Sequence, residues 1–368
     1  MLEKSKLSVT SFCLYRRAFG LLAVSILLLA LAYGWAQAAD GPEGALLVGA
    51  FLMELDGSNA RPFPNANARS VAWSPDSQHI ALAGSDVFIV KYDGSNLTNL
   101  TKQGAQCDEV RWSPDGSRLA FSSKIAGGWD VYTIGSDGKG LINLSNHPAE
   151  DRRPTWSPDG QRLVFESRRD GQWEIYLIDA DGSNLKNLTN HPATDRYPDW
   201  SPVDGSQLAF ISNRNGDDAL YMIDPDEQDT ALLYQHWAPG PDYRDPIWSP
   251  DGSRILLFLD MDPIGFIYVV DVASGNAQNP PGMFIDNNPC WSPDGEYIAF
   301  GRLFFGPAPD DVRRSITGTY IMRSNTSGLT RISTTRGVLG WGMPPPSHSI
   351  GILLRLPTLW GQIKGAAR

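Results

Sequence analysis

The feature that most limits what this chain can become is a pentapeptide that recurs six times. It appears as Trp73-Ser-Pro-Asp-Ser77, Trp112-Ser-Pro-Asp-Gly116, Trp156-Ser-Pro-Asp-Gly160, Trp200-Ser-Pro-Val-Asp-Gly205, Trp248-Ser-Pro-Asp-Gly252 and Trp291-Ser-Pro-Asp-Gly295, at intervals of 39, 44, 44, 48 and 43 residues. A period in the forties held over six copies marks a repeat architecture. The pentapeptide is itself a turn: Ser accepts at the first position, Pro fixes φ at the second, Asp tolerates the third, and Gly supplies the positive φ that closes it.

Strand signals follow each turn. Apolar runs such as Arg118-Leu-Ala-Phe-Ser122, Arg162-Leu-Val-Phe-Glu166 and Tyr297-Ile-Ala-Phe-Gly301 come next, then turns such as Arg168-Arg-Asp-Gly171 and Asn213-Arg-Asn-Gly216. A further strand such as Glu174-Ile-Tyr-Leu-Ile178 leads to the turn Asp179-Ala-Asp-Gly-Ser-Asn184 and a last short strand. With the strand that ends in Trp, each unit holds four antiparallel strands, which is one blade of an all-β propeller. The repeated residues Trp73, Trp112, Trp156, Trp200, Trp248 and Trp291 are read as wedges between blades, because equivalent copies in every unit argue for architecture.

The ends of the chain bear on the blade number. Residues 45–63 read as strand, turn, strand, the outer half of a blade, while Gly337–Trp341 and Ser349–Leu354 read as an inner half. Residues 45–357 span about seven mean intervals. Seven blades closed by a two-plus-two clasp of the N-terminal and C-terminal strands are therefore favoured, with six as the alternative. The expected layout is a signal or anchor over 1–38, one propeller over 39–357 and a tail over 358–368.

The N-terminal segment carries Lys4, Lys6, Arg16 and Arg17 ahead of an uncharged stretch rich in Leu and Ala, and Ala36-Gln37-Ala38 fits signal-peptidase cleavage after Ala38. The competing role is an uncleaved membrane anchor over residues 18–38. Either places the propeller outside the cytoplasm, in the periplasm or beyond. Residues 39–368 carry 27 basic and 40 acidic side chains, a net charge of −13, with no basic run to meet phosphates, so nucleic acid is excluded as a partner. Cys107 and Cys290 are read as small buried thiols rather than a disulfide.

The Trp-Ser-Pro-Asp-Gly turn, the preceding Asn190-His-Pro-Ala-Thr-Asp195-Arg-Tyr-Pro-Asp-Trp200 and the closing Asp-Gly-Ser-Asn-Leu segment resemble the TolB-type propeller repeat. The resemblance covers nearly all of residues 39–357 and implies the fold. It is weak for function, since such blades occur in periplasmic scaffolds, in peptidase gating domains and in polysaccharide-degrading enzymes. The chain departs from TolB in having little sequence between the signal and the first strand, and from the peptidases in having no Gly-x-Ser-x-Gly elbow.

Acids precede the repeated Trp at matching offsets. Asp151, Asp195 and Asp286 lie five residues before it, Asp108 four and Asp245 three. At the start of innermost strands they would ring one mouth of the central channel and admit a basic peptide or hold Ca2+; the competing role is capping of their own loops. Ca2+ is the one bound ion this pattern suggests, and no other cofactor motif is present. His147 and His191 repeat in Asn-His-Pro-Ala and read as loop residues, and no His or Cys spacing suits zinc. No catalytic arrangement emerges. The reading is an exported, monomeric scaffold for a protein or peptide partner, with a carbohydrate-active or peptide-processing enzyme using the same mouth as the alternative. Specificity is expected in Gln235–Asp245, Asp260–Gly265 and Phe304–Arg314, where the repeat is interrupted.

Overall fold

Each repeat begins with a turn that closes on its own side chains. In the computed structural model, the Ser113 hydroxyl donates to Asp115 Oδ1 at 2.6 Å and accepts the Arg118 N–H at 2.9 Å, while the same carboxylate oxygen accepts the Ser117 N–H at 3.0 Å. The Ser113 hydrogen bond, with help from Ser117, holds the Asp115 carboxyl at about 2. The Ser–Asp bond recurs at Ser74–Asp76, Ser157–Asp159, Ser249–Asp251 and Ser292–Asp294, at 2.5–2.6 Å. In the fourth copy the extra Val203 pushes the Asp one place along, and Asp204 bonds Ser206 instead.

The structure describes residues 45–342 apart from 49–50, 55–59, 63, 65–67, 237–239, 241, 262–263, 280–283, 305–317 and 334–337. The expected signal or anchor over 1–38, the strand Ser349–Leu354, the tail over 358–368 and nearly all of the Phe304–Arg314 insertion lie outside the described residues.

The turn leads into the blade. In the Trp112 unit the strands are Cys107–Trp112, Arg118–Ser123, Asp130–Gly135 and Ile142–Asn143, hydrogen-bonded in that order from the inside outward. The two middle strands are buried on both faces, which is why their sequences are apolar runs rather than alternations. Their aromatic residues pair across strands: Phe121 stacks on Tyr132, Phe165 on Tyr176 and Phe300 on Tyr320, with centroids 5.8–6.1 Å apart. Each such pair adds about 0.5–1.5 kcal/mol to the burial itself. The outermost strands are mostly two residues long, which leaves little edge for unwanted pairing.

Blades adhere through shared cores. Val164 and Leu177 of the Trp156 unit pack with Leu208, Phe210 and Tyr221 of the next. The repeated Trp lies in this seam, donating from Nε1 to the preceding blade's carbonyl just before that blade's own Trp: Trp112 to Ala72, Trp248 to Asp199 and Trp291 to Ile247, each at 3.0 Å. Trp156 and Trp200 instead lie under guanidinium groups of the preceding blade, Arg118 at 4.8 Å and Arg162 at 5.5 Å from the ring centroid.

The described strands form an all-β propeller of four-stranded antiparallel sheets. Six are blades of four consecutive strands, and these complete repeats bear out the alternative of six blades rather than the favoured seven. The two ends meet in one further four-stranded sheet, in the order Val338–Gly342, Ala45–Val48, Phe51–Glu54, Arg61–Pro62. Leu46 pairs with Trp341 and Ala45 with Gly342, and Val338–Gly342 lies against the inner strands of both the last and the first blade. The expected two-plus-two clasp is thus corrected to one-plus-three. The N-terminal segment folds into three strands rather than two, Phe51–Glu54 pairing antiparallel with both Ala45–Val48 and Arg61–Pro62. One of the expected insertions, Asp260–Gly265, lengthens a hairpin: Arg254–Met261 and Ile264–Asp271 each run eight residues where the Trp112 counterparts run six.

The first repeat carries Ser where the other complete copies carry Gly, and Ser77 sits at φ 57° against 70° for Gly116. A side chain in the left-handed region costs about 1–2 kcal/mol, offset by the roughly 0.5–1 kcal/mol of extra backbone entropy that Gly loses on folding. Ser77→Gly should therefore raise the unfolding free energy by up to about 1 kcal/mol. Gly116→Ala, whose added Cβ would meet only Pro75 Cδ at 3.7 Å, should lower it by about 1 kcal/mol. Urea melts with unchanged m-values check both.

Candidate functional site: the central channel

The residue three before each repeated Trp decides what faces the channel. Glu109, Arg153, Tyr197, Asp245 and Asn288 occupy this place in successive blades, and all five have φ between 47° and 58°. Each lies where the inner strand slips register against its neighbour, for example between Asp108 and Arg111. These are β-bulges, which re-aim a side chain at the cost of a strained backbone. Four of them precede a proline, Pro154, Pro198, Pro246 and Pro289, tolerated because the bulged edge strand does not need that N–H.

A bulge leaves backbone donors without a ladder partner, and carboxylates of the preceding blade take them. Glu109 Oε2 accepts the Arg153 N–H at 2.9 Å and the Ser122 hydroxyl at 2.6 Å, and Glu166 Oε1 accepts the Tyr197 N–H at 2.5 Å. Asp199 Oδ2 accepts the Trp248 N–H at 3.1 Å.

The bulged strands enclose a cavity of about 600 Å³. Its layers follow the strand positions: Arg69, Asp108 and Arg244 on one level, the five bulge residues with Ser70 on the next, then Val71 and the four prolines, and finally Arg111, Thr155, Asp199, Ile247 and Cys290. Arg153 reaches across the bulge level. Its Nη1 meets Asp245 Oδ1 at 2.6 Å, two blades away, and its Nε lies 3.5 Å from both Glu109 and Glu166. Its guanidinium covers the Tyr197 ring at 4.3 Å. Burial pushes the Glu166 carboxyl up to about 7 and the Asp199 carboxyl up to about 6.

The five acids singled out in the sequence go to different places. Asp108 and Asp245 line the cavity, and Asp108 Oδ1 also caps the Glu109 N–H at 2.9 Å. Asp151 and Asp195 are fully buried and bound to Arg169 at 3.1 Å and Arg214 at 3.2 Å, arginines that stack on Tyr176 and Tyr221. Asp286 lies in the strand Phe284–Trp291 opposite Arg302, and its side chain is outside the described residues. The wall is not a ring of acids alone: four arginines, Arg69, Arg111, Arg153 and Arg244, stand against Asp108, Glu109, Asp199 and Asp245. Among the described residues no group of three or more His, Cys, Asp or Glu side chains is placed to hold a metal ion.

The remaining candidates are local. His147 and His191 each accept, at Nδ1, the N–H two residues on, at 3.1 Å. Cys107 and Cys290 are free thiols, pushed up to about 11 and about 12 by burial. Glu109, Arg153, Tyr197 and Asn288 escaped the sequence reading. The proline two places before four of the Trp residues could have found Arg153, Tyr197 and Asn288, since the residue in front of it is the one turned into the channel; Glu109 precedes Val110 and carries no such signal.

With this geometry the chain can be compared with known proteins. The family model described as the TolB beta propeller domain matches residues 140–300. Those residues carry TolB-type β-propeller repeats. No curated protein matches it. Among solved structures, a protein assigned as TolB from Agrobacterium tumefaciens is similar with a TM-score of 0.54 at 23% identity, over 69% of this chain and 95% of that one. An oligogalacturonate lyase from Vibrio parahaemolyticus gives 0.57 at 14% identity, over 72% and 77%. A puromycin hydrolase gives 0.60 at 14% identity, over 80% of this chain and 52% of the hydrolase. At these identities the likeness is one of fold.

Glu166 supplies a pH test. Its folded value of about 7 lies above the ordinary 4.5, so the folded state binds the proton more tightly than the unfolded one. Between those values raising the pH removes stability, and the loss is complete above about 7. Glu166→Gln removes this titration. Its unfolding free energy relative to wild type should rise by about 2 kcal/mol between pH 5 and pH 8, measured by urea melts at both pH values.

Proposed function

We propose that this chain is an exported, monomeric TolB-type propeller that serves as a scaffold, binding a protein or peptide segment in its central channel. One observation carries the reading: five blades give up regular pairing at the same position, and each thereby presents a large polar or charged side chain to one shared cavity. Loops and irregularities on a rigid scaffold are where recognition concentrates. The cavity wall mixes apolar surface, from the prolines and Tyr197, with charges of both signs, which suits a main chain with its side chains. The N-terminal charge and apolar pattern supports export, and the net charge of −13 over residues 39–368 speaks against nucleic acid.

The enzymatic alternative rests on Glu166, a carboxyl near neutrality beside the channel, since such groups gather at catalytic sites. Glu166 is buried against Arg153 and the Tyr197 N–H, however, a place that suits a structural acid.

Peptides selected from a random displayed library on the purified chain provide the test. Asp245→Asn and Tyr197→Ala should each weaken the selected peptides at least tenfold. Asp226→Asn, on the exposed Arg162–Asp226 pair, should leave them unchanged. Equal binding to all three variants would put the peptides outside the channel and count against the proposal. Cleavage of a bound peptide or oligosaccharide would transfer the site to the enzymatic reading.

A further inference from the structure

Two of the four arginines in the cavity wall differ from the rest. Arg153 and Arg244 are paired with carboxylates, Arg153 with Asp245 at 2.6 Å and Arg244 with Asp242 at 2.6 Å and Asp260 at 3.2 Å. Arg69 and Arg111 are exposed to the cavity, and among the described residues neither has a carboxylate oxygen within 4.0 Å. Both are nevertheless held in place. With its amide turned to accept, the Gln106 side chain takes hydrogen bonds from Arg69 Nη1 at 2.9 Å and Nη2 at 3.3 Å. Arg111 Nη1 donates to the carbonyl of Val110 at 3.1 Å. Neutral oxygens thus fix two guanidinium groups without neutralising them. Asp108 attracts Arg69 and Asp199 attracts Arg111 through space without a contact within 4.0 Å, each carboxylate holding a backbone N–H instead, Asp108 that of Glu109 and Asp199 that of Trp248.

The two arginines belong to neighbouring blades and stand four and one residues before Trp73 and Trp112. At about 3.3 Å per residue that separates them by about 10 Å along the channel. Carboxylate side chains two or three residues apart on an extended or polyproline-type segment are spaced by about 7–10 Å. A guanidinium fork matches a carboxylate in plane and bond direction, so each arginine offers a ready partner to one acid.

We propose that the channel wall shared by the Trp73 and Trp112 blades is a carboxylate-binding subsite, and that the segment it takes is an extended acidic peptide whose carboxylates pair with Arg69 and Arg111. This rests on the peptide-scaffold reading above and deepens it by naming the chemistry of the segment. The sign is opposite to what the acidic composition of the chain suggests, because the local wall rather than the net charge decides what a channel accepts. Attraction between such a segment and two preplaced guanidinium groups weakens with salt.

The test uses fluorescein-labelled ten-residue peptides of Gly, Ser and Ala carrying two Glu two or three residues apart, two Lys at the same places, or neither. Anisotropy titrations on the whole chain should rank the Glu peptide at least tenfold tighter than the neutral one. Arg69→Gln and Arg111→Gln should each weaken the Glu peptide at least fivefold and flatten its salt dependence. Thermal melts of both variants establish that they fold. Unchanged Glu-peptide affinity in both folded variants overturns the inference. If Lys or neutral peptides bind in a way that needs Asp245 while Glu peptides do not bind, the subsite falls and the scaffold reading stands. If no peptide binds, both fall. An arginine-dependent response to a uronic-acid trisaccharide, with none to Glu peptides, overturns the peptide class.

Discussion

Everything in this molecule follows from one constraint: a blade's two middle strands are apolar on both faces, so no blade can be satisfied alone. Leu119, Phe121 and Ile134 are as inaccessible as any residue in a large core, although they belong to a sheet of only four strands. Burial must come from neighbours on both sides, and a linear row would leave two open faces. The two chain ends meet that need by pairing Val338–Gly342 with Ala45–Val48. The repeated Trp works within the same constraint: in five of the six repeats its indole N–H or its ring face is joined to the preceding blade, whereas the Trp73 Nε1 is buried with no hydrogen-bond partner among the described residues.

How much of this could be read from the sequence depends on how local the cause is. The Ser-Pro-Asp-Gly turn was legible because its bonds, Ser113 to Asp115 and Ser117 to Asp115, lie within five residues. The strand count followed from turn spacing, and the middle strands were visible as apolar runs. The ends were read less well, since one strand or two from the C-terminus satisfies the same residue count, and only pairing across nearly the whole chain decides between them.

The acids show the limit more sharply. Asp151 and Asp195 share an offset from Trp with Asp286, and that shared offset suggested a ring at the channel mouth. Their partners, Arg169 and Arg214, come from the turn after the second strand, 18 and 19 residues on. A carboxylate fully out of water needs such a partner, and its pairing is a tertiary event that no short window of sequence displays. Glu109 and Glu166 were passed over for the same reason: their ligands are N–H groups 44 and 31 residues away, released by bulges in the next blade.

Those bulges also separate what the fold needs from what the channel is for. The first blade shows that an inner strand can form without one: Ser70 pairs with Ala83 and Trp73 with Ile80 in unbroken register. A bulge is therefore not demanded by blade geometry or by the Trp seam. Each of the five nevertheless holds a non-glycine residue in the left-handed region, a cost of about 1–2 kcal/mol apiece. Part of that cost is offset by the hydrogen bonds from Glu109, Glu166 and Asp199. The remaining consequence is geometric, because at every bulge one side chain is turned from the plane of its sheet into the common cavity. A ring of packed blades becomes a ring with a lined interior through this one repeated departure, and the residues that matter to a ligand are those the regular repeat would have hidden.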